Sequence, residues 1–204
     1  MATYSRLLTL DDVAAVAHVL SQAFMDDPLC AFMLPRRRSR LATLHKFYLA
    51  AGEVSIRHGR AYGVGDPLQG VAFWESPTVE KQSISVKVLG KFLPLLFTQY
   101  PAGLFRARAI LREIEALHAQ YAPDPHYYLD NLGVLPTAQG RGLSSQLLRP
   151  ILDAADSRGM VAYTDTVTPS NVPLYEHFGF QCVATAPIAH TGITVFALRR
   201  PVQA

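Results

Sequence analysis

The feature that most constrains this chain is a glycine-containing turn that follows a strand-like segment and precedes an amphipathic helix. Residues 127–134 are rich in strand-forming types, and residues 143–157 carry leucine and isoleucine at helical spacing. Glycines let a backbone approach a ligand closely, and the free N–H groups of a first helical turn, with the positive end of the helix dipole, suit a phosphate. The turn therefore predicts an anion-binding site. Its candidate residues are Gln139, Gly140, Arg141, Gly142, Leu143, Ser144 and Ser145.

Two common phosphate-binding motifs fit this turn less well. A P-loop is excluded, because GxxxxGK[ST] occurs nowhere in the chain. A dinucleotide fingerprint is approximated by Gly140-x-Gly142-x-x-Ser145, with Asp165 about 20 residues further on. Against it, residues 135–139 separate the strand from the first glycine, where that fold makes a tight turn, and the motif lies far from the start of the chain.

The rest of the chain predicts an α/β fold with a mixed sheet. Hydrophobic alternation and turn residues predict strands at 3–8, 61–64, 71–75, 127–134, 161–166, 180–186 and 191–198. Helices are predicted after Asp11 and Asp12, from Pro35 to Gly59, at 143–157 and at 173–178. Residues 76–122 predict a helical insert of two helices, broken at Pro94 and at 101–103. Such an insert forms either an acceptor pocket or a simple cover for the sheet.

Composition restricts the partners and the setting. The net charge of +3, from 19 basic and 16 acidic residues, calls for no nucleic-acid or membrane partner. Cys30 and Cys182 are far apart in sequence and predict reduced core thiols. Asp11 and Asp12 interrupt the N-terminal apolar stretch, which argues against a secretion signal. We therefore expect one domain over residues 1–204 and a cytoplasmic setting, as a monomer or homodimer without a metal site.

Three motifs around the turn resemble those of the GNAT family of N-acetyltransferases. They read Leu132-Gly133-Val134, Gln139-x-x-Gly142-x-Ser144 and Asn171-x-x-x-Tyr175-x-x-x-Gly179-Phe180. Ser144 stands where the family usually has Gly or Ala, and it is small enough to leave its amide accessible. Within the family, the closest likeness is to members similar to puromycin N-acetyltransferase, which share the in-helix Pro150.

The resemblance implies a GNAT fold and an acetyl-CoA site. Its sheet is mixed and mostly antiparallel, with a splayed central strand pair flanked by helices and a helical insert over the acceptor side. The backbone of the strand ending in Leu132, Gly133 and Val134 then faces the pantetheine and the thioester oxygen. Asn171 contacts pantetheine, and Tyr175 is the general acid that protonates the departing thiolate.

The motifs do not identify the general base. His126, Tyr128 and Asp130 alternate along one strand and share a face. Family members often have a glutamate in this strand, and this chain has none. Asp130 is the first candidate and His126 the second, because histidine titrates near neutral pH. By the resemblance, Asp165 stands where puromycin-type relatives have a glutamate. Its side chain either contacts the acceptor or orders the end of the strand.

These residues predict acetyl transfer from acetyl-CoA to the primary amine of a small molecule. The two cysteines lie in no nucleophile context, so we expect direct attack on the thioester without an acyl-enzyme. Two alternatives stay open: an acyl-CoA-binding regulatory or degenerate module without turnover, and a protein N-acetyltransferase.

Overall fold

A computed structural model describes residues 5–77 and 101–203, and within them seven strands and six α-helices. The strands are β1 (Arg6–Leu7), β2 (Ala61–Val64), β3 (Gly70–Glu75), β4 (Tyr127–Val134), β5 (Ala162–Thr166), β6 (Gln181–Ile188) and β7 (Ile193–Arg200). The helices are α1 (Val13–Ala23), α2 (Pro28–Met33), α3 (Arg37–Arg57), α4 (Pro101–Tyr121), α5 (Leu143–Ser157) and α6 (Val172–His177). The bounds of β2, β4 and α5 equal those predicted, and the other predicted elements within these ranges are shifted by one to three residues.

The strands form one open sheet in the order β1-β2-β3-β4-β5-β7-β6. Every neighbouring pair is antiparallel except β4 and β5, which run parallel. Helix α5 provides the crossover between those two strands, as a parallel connection requires. The predicted mixed and mostly antiparallel sheet with flanking helices is confirmed.

Two prolines begin α-helices in the described part of the chain. Asp26-Asp27-Pro28 ends the first helix as predicted, but Pro28 also begins α2, where the Asp27 carboxylate accepts from Cys30 N–H at 3.0 Å. Pro101 was expected to break the helical insert; instead it begins α4, because proline lacks only an N–H that a first turn leaves unpaired. The break predicted at Pro94 lies outside the described residues.

Helices cover both faces of the sheet. On one face, α5 and α6 bury a core with β2 to β5, centred on fully buried Leu147 and Leu148. On the other face, α1 and α3 pack over β2 and β3 through Val16, Leu20 and Phe73. On that same face, α4 and its neighbour α2 cover the half of the sheet formed by β5, β6 and β7. On this face, one helix pair therefore covers the β2 and β3 side of the sheet and the other covers the β5 to β7 side.

The central parallel pair opens into a fork. Register pairs β4 with β5 only from Tyr127↔Ala162 to Leu129↔Thr164. At the last rung, the Thr164 hydroxyl donates to the Leu129 carbonyl at 2.9 Å. Beyond that rung β4 continues to Val134 with β3 as its described partner, so its other edge is open. The splayed strand pair that the resemblance implied is present.

The sequence expectation for the cysteines holds for one of the two. Cys30 is buried, as expected of a core thiol, but Cys182 is exposed on β6. Arg40, within a basic run at the start of α3, is buried and donates to the carbonyls of Leu34 and Met25. In the described parts of the chain, no helix has the length and apolarity that crossing a membrane requires.

Candidate active site

The predicted anion-binding turn connects β4 to α5. Gly140 and Gly142 have φ of 75° and 74°, and a Cβ at either position would meet no atom within 4 Å. Gly142 is the N-cap of α5 and has no side chain to accept from the first turn, so the N–H groups of that turn point into open space. Leu143 packs its side chain in the core, which leaves only its backbone for a ligand. This arrangement fits a pyrophosphate.

Other residues of the turn surround the same space. Arg141 is exposed and donates to the Thr137 carbonyl at 3.1 Å, and Gln139 donates to the Val134 carbonyl at 3.4 Å. Ser144 and Ser145 are half-buried in the first helical turn. The charge of Arg141 and the N-terminus of α5 therefore act on the same volume.

The open edge of β4 has backbone groups that can bind an extended ligand. Leu135 N–H donates to Gln69 on the β3 side at 2.9 Å. Because backbone groups alternate in direction along a strand, those of Val134 and Leu132 point to the opposite edge, into the fork. Gly133 has a different role: a Cβ there would lie 2.7 Å from a Leu20 methyl, so the glycine lets α1 lie against β4.

Tyr175 lies beside the closed end of the fork. The side chain is 6% exposed, and its ring contacts Phe180 edge-on at 5.8 Å. Burial raises the pKa of its phenol, the charge of Asp165 raises it further, and a hydrogen bond with Thr164 opposes them. Since Thr164 forms the last rung between β4 and β5, this bond places the Tyr175 hydroxyl where the two strands separate.

Asn171 lies near the open end of the fork, beyond the last residue of β5. It occupies the N-cap position of α6 without capping the helix through its side chain. Its amide instead donates to the Thr166 hydroxyl, the last residue of β5, at 3.3 Å. This position is compatible with the pantetheine contact that the resemblance implies.

Asp130 is the bulged residue of β4. Phe73 pairs with Asn131 and Trp74 pairs with Leu129, so Asp130 is one extra residue on its strand. It directly follows the last β4 residue paired with β5, and Asp165 directly follows the last-paired Thr164. The two carboxylates therefore lie next to the closed end of the fork, one on each arm.

The pKa values of both carboxylates are raised. The Asp130 side chain is exposed at the surface, although neighbouring protein atoms displace part of the water around its carboxylate; this loss of hydration, with repulsion from Glu75, raises its pKa to about 7. Burial likewise raises the pKa of Asp165 to about 6, although a hydrogen bond from the Tyr128 hydroxyl at 3.0 Å opposes the change. Both groups are poised to exchange protons near neutral pH.

His126 does not lie where a general base is needed. It is 8% exposed, and both ring nitrogens have partners: Nδ1 lies 2.6 Å from the Asp124 carbonyl, and Nε2 lies 2.6 Å from Nε2 of His118 on α4. His118 also packs against the ring of Tyr128. His126 and Tyr128 thus share a face, as predicted, but the imidazole joins β4 to α4 instead of pointing into the fork.

This chain is similar in sequence to known acetyltransferases. The model of the acetyltransferase (GNAT) family matches residues 95–180. An uncharacterised N-acetyltransferase of Schizosaccharomyces pombe is 27% identical over 189 residues, covering 83% of this chain and 70% of that protein.

Solved structures share the whole fold. Histone acetyltransferase HPA2 and related acetyltransferase of Corynebacterium glutamicum has a TM-score of 0.66 and 18% identity, covering 100% of this chain and 98% of that one. Arylalkylamine N-acetyltransferase 2 of Aedes aegypti has a TM-score of 0.64 and 14% identity, with 100% of both chains covered. Polyamine N-acetyltransferase of Drosophila melanogaster has a TM-score of 0.64 and 12% identity over 98% and 99%. These structures share the fold of this chain, and the family model matches part of its sequence.

Proposed function

We propose that this chain is an acetyl-CoA-dependent N-acetyltransferase that acts on the primary amine of a small molecule by direct attack on the thioester. The observation that carries the proposal is the fork. One end of its open edge leads to the anion-binding turn, and Tyr175 and Asp130 lie beside its closed end. A nucleotide-type thioester held along this path brings a carbonyl, a proton donor and a proton acceptor together.

Each residue then has a defined task. The first turn of α5 and Arg141 bind the pyrophosphate, and the edge groups of Leu132 and Val134 bind the pantetheine and polarise the thioester oxygen. When bound, acetyl-CoA supplies an activated acetyl group and a thiolate leaving group. An oxygen of the Asp130 carboxylate accepts a proton from the acceptor ammonium, which frees the amine lone pair.

Tyr175 donates its hydroxyl proton to the leaving sulfur, and the second proton, which the nitrogen loses as the amide forms, returns the phenolate to the neutral phenol. Its raised pKa keeps the phenol protonated at all physiological pH values. The same burial also disfavours a charged thiolate, so both partners are shifted in the same direction and the transfer stays feasible. Asn171 holds pantetheine in register with this hydroxyl.

The acceptor enters as a cation. Carboxylates of Glu75, Asp130 and Asp165 lie on three adjacent strands, and their mutual repulsion contributes to the raised pKa of Asp130. Arg60 donates to Glu75 at 3.0 Å and offsets part of this charge. The remaining negative potential attracts an ammonium group. Two structural neighbours are named for arylalkylamines and polyamines, and the motif likeness to puromycin N-acetyltransferase-type members points to a small-molecule amine as well.

Release of free CoA thiol in the presence of candidate amines tests this function. We expect acetyl-CoA and a small primary amine to release thiol and yield the acetylated amine by mass spectrometry. CoA binding without thiol release from any amine would identify a regulatory or degenerate module. Acetylation of peptide amines in preference to small molecules would instead identify a protein N-acetyltransferase.

Replacement of Gly142 by alanine tests the anion site. We expect the dissociation constant of CoA to rise about tenfold, because the residue is left-handed and the added methyl enters the ligand space. Gly159 is a matched control: its φ is 63°, its Cβ position is also open, and it lies past the other end of α5. Both variants should lose about 1 to 2 kcal/mol of stability. Calorimetric titration that finds equal CoA affinities for the two variants would contradict the site.

A further inference from the structure

The bulge in β4 brings two consecutive side chains together. Neighbouring residues of a regular strand point to opposite faces of the sheet. Because Asp130 is the extra residue, Asn131 pairs with Phe73 and both polar side chains lie on the face covered by α1 and α3. There the Asn131 amide Nδ2 donates to Oδ2 of Asp130 at 2.8 Å.

Asn131 is in turn held by α3. The hydroxyl of Tyr48 donates to Oδ1 of Asn131 at 3.4 Å, which is long for such a bond. Tyr48 is 3% exposed, and its ring is fixed between Phe24 and Phe47 at centroid distances of 5.7 and 5.0 Å. The tyrosine orients the amide oxygen, so the amide nitrogen necessarily faces Asp130. The shorter Asn131–Asp130 bond is the stronger of the two.

We propose that Asn131 is a positioning residue that holds the Asp130 carboxylate ionised and oriented toward the acceptor amine. This inference rests on the proposed function, in which Asp130 is the general base. The amide donates to Oδ2 of the carboxylate, and the proposal therefore assigns the proton of the acceptor to Oδ1. The chain of contacts runs from the buried Tyr48 ring through Asn131 to the reacting group.

The electrostatic surroundings explain why such a donor is needed. Glu75 on β3 and Asp165 on β5 both disfavour the ionised form of Asp130, and the loss of hydration around its carboxylate does so most strongly. Among the groups that favour ionisation, the Asn131 hydrogen bond contributes more than Arg60, whose guanidinium also pairs with Glu75. Within residues 5–77 and 101–203, the charged or titratable groups that face Asp130 include Glu75, Arg60, Tyr128, Asp165 and Tyr48.

The pH profile of kcat/KM for Asn131→Ala tests the proposal. Loss of the amide donor should move the acidic limb upward by about one pH unit, so the rate falls about tenfold below the limb and recovers at alkaline pH. Tyr48→Phe should move it in the same direction by less. In an Asp130→Asn background, Asn131→Ala should produce no shift, because the titrating group is gone.

The same inference has a readout that needs no turnover. The ¹³C resonance of the Asp130 carboxyl carbon, followed through a pH titration, should report a higher pKa in Asn131→Ala than in the unaltered chain. An unchanged carboxyl pKa, or an activity loss that is equal at every pH, overturns the positioning role. Absence of thiol release from the unaltered chain would instead contradict the proposed function, and the carboxyl titration would still decide the role of Asn131.

Discussion

Tyr175→Phe is expected to lower kcat by about 10² to 10³ while leaving CoA affinity and stability almost unchanged. A positioned general acid contributes about 10²- to 10⁴-fold, and the departing thiolate is the group that most needs a proton in the water-poor fork. Phenylalanine keeps the ring contact with Phe180. Loss of the hydroxyl leaves no donor without an acceptor, since Thr164 still donates to the Leu129 carbonyl. Steady-state kinetics with thiol detection measures the effect.

Tyr163→Phe is the matched control for this variant. Tyr163 is fully buried on β5, one residue from Thr164, and its pKa is also raised by burial and by Asp165. Its ring stacks on His118 on the face opposite Tyr175, and its buried hydroxyl has no hydrogen-bond partner among the described residues. We expect its removal to leave kcat unchanged. Equal losses in the two variants would show that any buried hydroxyl in β5 or α6 matters, and the general-acid role of Tyr175 would be abandoned.

The elements around the anion site were predictable because local signals agree there. Alternation over β4, left-handed glycine at 142 and the leucine stripe of α5 all indicate the same boundaries. Pro101 was misjudged although the signal was available, since proline is as typical of a first helical turn as of a break.

The proton-transfer groups were only partly predictable, because they depend on contacts between distant segments. The bulge at Asp130 is set by pairing with Phe73 and Trp74, and its trace in the sequence is the three-residue spacing of Leu129 and Leu132, which contact the same core. The roles of Asn131 and Tyr48 follow from that bulge and from the packing of α3, so no spacing in the sequence joins them. His126 was assigned to the correct face, but its partner on α4 could not be inferred from β4 alone.

Asp130→Asn is expected to lower kcat/KM by about 10² to 10³ near neutral pH. The amide cannot accept a proton from an ammonium group, so only acceptor already deprotonated in solution reacts. A primary amine of pKa near ~10.4 is almost entirely protonated at pH 7. The deficit should therefore shrink as the pH approaches the pKa of the amine. A deficit that is constant from pH 6 to about pH 10 would exclude Asp130 as the base.

The same substitution should stabilise the fold at neutral pH. The pKa of Asp130 is about 7 in the folded chain against an ordinary 3.8, so the folded state binds more protons between these values and the free energy of unfolding falls as pH rises through them. Below about pH 4 the carboxyl is protonated in both states, and the variant has no such advantage. Asparagine avoids the cost of a poorly hydrated carboxylate, so its melting temperature should exceed that of the unaltered chain above pH 7.

Asp156→Asn should have the opposite effect on the stability of the fold. The Arg200 guanidinium, with two contacts of 2.7 Å, lowers the pKa of Asp156 in the folded chain. Its stabilising contribution is present above the ordinary carboxyl pKa and is lost on acidification, so this variant should melt earlier at neutral pH and keep its kcat. Opposite signs for the two variants in thermal melts at pH 8, with both differences smaller at pH 4, would identify Asp130 as a group kept for proton transfer at the expense of stability. A lower melting temperature for Asp130→Asn at pH 8 would show instead that the carboxylate stabilises the bulge.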